Sequence, residues 1–256
     1  MIFSAANAYK SYRADRGRAN SATCIVLTGD LQQVIFTPQL RNSSSFYLRK
    51  LCNYNFGLDD SSLDTSTMHL WSETIAHRGA NEICSCVWSY VRSNYSVLNR
   101  GQKRELTIWT DRCSGQNNNI FLLFTLMKLA RQNYFTSFNH KLFYTGHSYN
   151  SCDRDFSQVE NKQRVSDILV PNDIEKVIKD SRVENVFNVK WMEQHEFLDF
   201  KNLLTYFGRP NSLKVTNFLW FHYDIETPQI ILTRTTHGTV RTIWNINLLH
   251  LCLHKS

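Results

Sequence analysis

The sequence predicts an α/β fold on a mixed sheet: three antiparallel strands, then α/β crossovers, then a small α+β C-terminal extension. Three observations carry that prediction. Short apolar or aromatic runs separated by turn-forming residues occupy the first 71 positions, as hairpin-linked strands do. From Gly79 to Ser166, segments with a helical repeat alternate with short β-prone runs. Aromatic residues make up 13% of the chain while Gly and Pro number nine and four, so a sizeable core is available and disorder is disfavoured.

Residues 1–20 read as a basic N-terminal arm or helix carrying Lys10, Arg13, Arg16 and Arg18. Cys24-Ile-Val-Leu-Thr28 is a short apolar run suited to a buried strand, and Gly29-Asp30 ends it. Phe46 to Phe56, aromatic with Arg49 and Lys50 interleaved, makes a second strand; Met68 to Trp71 makes a third after the turn-rich stretch 58–64. Gly79-Ala-Asn81 opens a helix whose Ile83, Cys86, Val87, Tyr90 and Val91 share one face, and it stops near Asn99-Arg-Gly101. Leu106 to Thr110 is a β-prone run ended by Asp111, and Asn117 to Gln132 is a helix apolar on most sides. Leu142 to Thr145 is a strand closed by Gly146, followed by a helix over Asp153 to Ser166 with Cys152, Phe156 and Val159 inward. Pro171 closes this main unit, residues 21–170. The extension, 171–224, holds a helix at Ile174–Ile178, strands at Phe187–Met192 and Leu219–Tyr223, and a helix at Glu196–Tyr206 between them. Residues 225–256 read as a divergent tail.

Composition narrows the function classes. No apolar run approaches the roughly 18 residues of a membrane span, and the N-terminus lacks the apolar centre of a secretory signal. The seven cysteines are odd in number and scattered, with no C-x-x-C pair, which suits a reducing compartment, nuclear or cytoplasmic. A net charge of +7 points weakly to a polyanionic partner. Nucleophile-elbow, P-loop, dinucleotide and H-E-x-x-H patterns do not occur.

The acids are the informative feature. Asp30 ends the first strand, Asp111 ends the fourth, and Asp153 begins the helix after the fifth. Where the first and fourth strands are neighbours, these three carboxylates meet at one edge and repel one another unless cations bind them. Oxygen ligands on rigid elements suit Mg²⁺ or Mn²⁺. Each Asp also has an ordinary reading at a strand end or helix start, and Asp153 in particular fits an N-cap. Glu160 ranks second as third acid, while Asp155 is expected on the exposed side. His147 either holds its loop or positions a nucleophile or phosphate. A thiol nucleophile at Cys113 or Cys152, or a zinc site of Cys113, His147 and Cys152, has no supporting local signature.

Several strings resemble a family. Asp30-Leu-Gln-Gln, Phe46-Tyr-Leu-Arg with Asn53-Tyr-Asn-Phe, Trp71-Ser-Glu-Thr and Arg78-Gly-Ala-Asn-Glu-Ile-Cys-Ser-Cys86 do so, as do Trp109-Thr-Asp-Arg-Cys-Ser-Gly-Gln-Asn117 and Gly146-His-Ser-Tyr-Asn-Ser-Cys-Asp-Arg-Asp-Phe156. Together they are similar to a transposon-derived, integrase-like domain of animal proteins, over about Lys10 to Tyr223. The resemblance implies a ribonuclease H-like fold of the DDE transposase and integrase group. Its three acids fall on Asp30, Asp111 and Asp153. Nucleic-acid hydrolases of that fold also use a Glu on the first helix, near Glu82, which equally serves as a first-turn Glu. With only 29 residues before Asp30, no separate DNA-binding module is expected.

The resulting expectation is metal-dependent DNA cleavage or strand transfer at Asp30, Asp111 and Asp153 with Mg²⁺ or Mn²⁺, aided by His147. Arg112, Arg154, Lys162 and Arg164 are the expected DNA contacts, with a solvated helix face as their ordinary reading. DNA is the expected partner, no membrane is, and a homodimer is allowed. The alternative is a catalytically silent adaptor that binds DNA or protein.

Overall fold

The computed structural model describes residues 2–39, 49–144, 149–202, 213–237 and 242–245. Among them are ten strands in one mixed, largely antiparallel sheet and five α-helices. The chain opens with helix α1 (Ile2–Gly17), then strands β1 (Cys24–Leu31), β2 (Ile35–Thr37), β3 (Leu51–Asp60) and β4 (Thr65–Ser72). Helix α2 (Ala80–Asn94), strand β5 (Glu105–Thr110), helix α3 (Ile120–Arg131) and strand β6 (Ser137–Leu142) follow. Next come α4 (Ser151–Arg164), α5 (Pro171–Lys179), β7 (Asn188–Trp191), β8 (Trp220–Asp224), β9 (Ile230–Arg234) and β10 (Thr242–Asn245). The sheet order is β10-β9-β8-β6-β5-β1-β3-β4-β7, with β2 paired to β3. β1 pairs antiparallel with β3 and parallel with β5, which makes the first and fourth long strands neighbours.

Strand periodicity sorts the side chains onto two faces. On one face Ile25, Leu27, Leu58, Leu106 and Ile108 join Ile83 and Val87 of α2 and Leu122, Leu126 and Met127 of α3 in the main core. On the other, Met68 and Leu70 meet Cys152, Phe156 and Val159 of α4 and Ile174, Val177 and Ile178 of α5. Helices thus cover both faces, and α4 lies on the face to which Thr28 and Asp30 belong.

Several elements depart from the sequence reading. β1 is longer than the apolar run, so Asp30 lies inside the strand. The second strand begins at Leu51, and Phe46 lies outside the described residues. The strand expected at Leu142–Thr145 is instead β6, five residues earlier. Its Asn139, His140 and Lys141 hide it from a search for apolar runs, yet all three are buried with polar partners. Pro171 opens α5 at its first turn, where a missing N–H costs nothing. The helix expected at Glu196–Tyr206 is represented by short 3₁₀ turns at Gln194–Glu196 and Phe200–Asn202, and 203–206 lie outside the described residues. Residues 171–224 extend the sheet on both sides: β7 joins β4 as one edge, and β8 joins β6 on the other side. Residues 230–234 and 242–245, within the expected tail, continue the sheet as β9 and β10. No helix among the described residues is long and apolar enough to cross a membrane.

Candidate functional site

The register of β1 on β5 sets Thr28 beside Trp109 and Gly29 beside Thr110. Continuing it one step brings Asp30 next to Asp111, just past the end of β5. Side chains two apart on a strand share a face, so both acids follow Thr28 and Trp109 onto the α4 face. There α4 begins, with Asp153 in its first turn.

Local chemistry fixes that start. The Asn150 side chain accepts from the backbone N–H of Cys152 at 2.7 Å and of Asp153 at 3.3 Å, and Asp153 Oδ2 accepts from Asn150 N at 2.8 Å. This reciprocal box satisfies helix-end donors that have no intrahelical partner. The same Asn150 reaches across to β1, its Nδ2 donating to Asp30 Oδ2 at 3.2 Å. Asp30 Oδ1 accepts from Leu31 N at 2.8 Å. Asp111 Oδ1 accepts from Asn117 Nδ2 at 2.5 Å and from Cys113 N at 3.3 Å. Asn119 caps α3 by accepting from Phe121 N and Leu122 N, so that helix begins at Ile120, three residues beyond Asn117.

Asp30 and Asp153 both feel the charge of Asp111. Burial, and next the charge of Asp111, push the Asp30 carboxyl up to about 7, against the hydrogen bonds from Asn150 and Leu31, and Asp153 adds in the same direction. Asp153 is also raised, by burial first and by Asp111, against its bond from Asn150 N. Among the described residues no group of three His, Cys, Asp or Glu side chains forms a ready cage for an ion.

The remaining candidates are dispersed. His147 lies outside the described residues. Arg112 Nη2 donates to the Thr216 carbonyl at 2.7 Å, toward the segment before β8. Arg154 is exposed and turns to Asp155 at 3.8 Å, lining with Arg16 and Arg182 a cavity of about 550 Å³. Lys162 and Arg164 sit in the last turn of α4, about 14–17 Å along the helix from Asp153 at 1.5 Å per residue. Glu160 lines a small cavity with Gln32, Gln163 and Arg164. Glu82 stands in the first turn of α2, on the face opposite α4. Cys152 is 1% exposed, its thiol pushed well above the ordinary range by burial and donating to the Thr28 carbonyl at 3.2 Å. It serves packing rather than nucleophilic attack.

Asp155 corrects the sequence reading. Expected on the exposed side, it is 1% exposed, accepting from Arg182 Nη2 at 2.7 Å and Ser66 Oγ at 2.9 Å. Its charge is buried because Arg182, just beyond the end of α5, pairs with it, a contact that no local pattern signals. Asn150 and Asn117 were likewise missed as site residues. Their only signal was an Asn just before a helix and another six residues after an acid.

The chain matches, over residues 60–237, the family described as a domain of unknown function (DUF7869), and it belongs to that family. The matched span contains Asp111 and Asp153; Asp30 and α1 precede it. No curated protein and no solved structure gives a significant match.

Proposed function

We propose that this member of the DUF7869 family is a metal-dependent DNA nuclease or strand-transfer domain of the transposase and integrase kind. The observation that carries the reading is the convergence of Asp30, Asp111 and Asp153 from three elements, with Asp30 raised to about 7 by burial and by its neighbour. Structural acids are ordinarily paired with cations; here the neighbours are other acids and asparagine amides. The strand plan gives further support. β4, β3 and β1 pair antiparallel, and β5 and β6 join in parallel with helix α3 between them, as expected of a ribonuclease H-like fold.

The donor set fits a hard divalent cation, being carboxylate oxygen throughout. Asp30, Asp111 and Asp153 would hold Mg²⁺ or Mn²⁺. When bound, a pair of such ions activates the attacking oxygen and stabilises the leaving one. Asp30 must release its proton before it can bind a cation. Asn150 and Asn117 orient the Asp30 and Asp111 carboxyls, and the box at the start of α4 fixes Asp153. Arg112 and Arg154, each one residue beyond an acid, meet the phosphodiester backbone. His147 aids the attacking group, while Lys162 and Arg164 extend the track along α4. DNA as partner, assembly as a dimer, and a nuclear or cytoplasmic setting belong to the same reading.

The silent adaptor has one observation in its favour: both asparagine amides already satisfy carboxylate oxygens without a cation. Supercoiled plasmid with Mg²⁺ separates the two. The enzyme nicks it and Asp111→Ala does not; binding without nicking, unchanged by Asp111→Ala, leaves the adaptor.

A further inference from the structure

We infer that α1 is a brace that sets the three acid-bearing elements against one another, with Tyr12 and Asp15 as positioning residues. The inference rests on the reading of Asp30, Asp111 and Asp153 proposed above. In each of β1, β5 and α4, the residue two positions before the acid is held by α1. The Tyr12 hydroxyl lies 3.1 Å from Thr28 Oγ1, two residues before Asp30. It donates to Ser151 Oγ at 3.0 Å and accepts from Ser151 N at 3.3 Å, two residues before Asp153. Asp15 Oδ2 accepts from Trp109 Nε1 at 2.9 Å, two residues before Asp111.

The spacing matters. On a strand, residues two apart share a face, so fixing Thr28 and Trp109 fixes the direction in which Asp30 and Asp111 project. On α4, Ser151 and Asp153 lie in the same first turn, so gripping Ser151 sets where that turn begins over the sheet. One helix therefore grips residues up to 139 positions away in sequence.

The brace is enclosed and fully partnered. Tyr12 and Asp15 are 3% and 4% exposed. The rings of Tyr12, Trp109 and Phe143 form their own cluster, with centroids 4.9–5.5 Å apart. Arg16 Nη1 donates to the Tyr12 hydroxyl at 2.9 Å and lies 3.2 Å from Asp59 Oδ2, which accepts from Ser151 Oγ at 2.8 Å. Lys141 Nζ meets Asp15 Oδ2 at 2.7 Å. Apolar packing would hold α1 to the sheet with some freedom to slide. A satisfied network of directional bonds selects one seating.

Tyr12→Phe keeps the ring and removes the hydroxyl, and Trp109→Phe removes the indole N–H; Tyr9→Phe, on the same helix but 37% exposed, is the control. Amide hydrogen exchange and Mg²⁺-dependent plasmid nicking are measured on each. Tyr12→Phe is expected to speed exchange at 28–31 and 150–154, and Trp109→Phe at 109–113. Both are expected to lower kcat about tenfold or more with KM for DNA unchanged, because small misplacements of reacting groups are costly. Tyr9→Phe matches wild type. Wild-type nicking together with variants unaltered in exchange and kcat overturns the brace and leaves the acids' role standing. Exchange accelerated across the whole sheet, rather than at those segments, also overturns it. A wild type that nicks no DNA overturns the reading of the acids, and the positioning role with it.

Discussion

Ionising Asp30 costs more in the folded chain than in water. Burial and the Asp111 charge hold its pKa at about 7, whereas in an unfolded chain such a group ionises near pH 4. Between those values the folded state keeps a proton that the unfolded state has released. Stability from this group is therefore full below about pH 4 and is lost as pH rises through about 7. Asp153, raised in the same direction, adds to the slope. Buried His69, His140 and His237, drawn down to about 4, 3 and 4 chiefly by burial, act oppositely and cost stability in acid. The clean measure is thus the difference between wild type and Asp30→Asn in ion-free thermal unfolding. The two melt alike at pH 4, and the variant melts several degrees higher at pH 7.5, for a linked cost on the order of a few kcal/mol. A difference that does not grow with pH contradicts an Asp30 crowded by burial and by Asp111.

Helix α4 can deliver Asp153 only because it lies close against the sheet. Gly57, opposite Asp30 on β3, makes the approach feasible: a Cβ there would stand 2.9 Å from Phe156 Cε1. Cys152 adds a thiol bond to the Thr28 carbonyl from the same turn. Gly57→Ala forces Phe156 aside; we expect a loss of about 1–3 kcal/mol in denaturant unfolding, and weaker nicking, since α4 must shift or tilt. Unchanged stability would contradict the close seating. These elements also show what the sequence discloses. Asp111, just past β5, and Asp153, in the first turn of α4, stand where local signals for strand and helix ends place them, whereas Asp30 falls inside β1 because pairing extends the strand past its apolar run. β6 was misplaced because Asn139, His140 and Lys141 are buried polar residues whose partners lie on other elements, as with Trp220 for Asn139 and Asp15 for Lys141. Asp155 failed for the same reason, its partner Arg182 being 27 residues away. Tyr12 sat in what read as a basic arm, and nothing near it hints at Ser151.

Across the whole molecule, one sheet collects contributions from nearly the entire chain. Both of its edges come from residues after 187, while the acids lie at its middle, where β1 and β5 run parallel. Placing a site at the carboxyl ends of adjacent parallel strands is where α/β sheets expose ligands. The family match begins at residue 60, so β1 with Asp30 and α1 with Tyr12, the remaining parts of the proposed site, lie outside the matched span. If the three acids act as a unit, a cation must sense all of them at once. Calorimetric titration of Mn²⁺ into the full chain at pH 7.5 tests this most directly. Wild type binds the ion; Asp30→Asn, Asp111→Asn and Asp153→Asn each weaken it about tenfold or more, and Glu82→Gln, on the opposite face, leaves it unchanged. A wild type that takes up no Mn²⁺, or an affinity indifferent to any one of the three aspartates, contradicts a shared metal site.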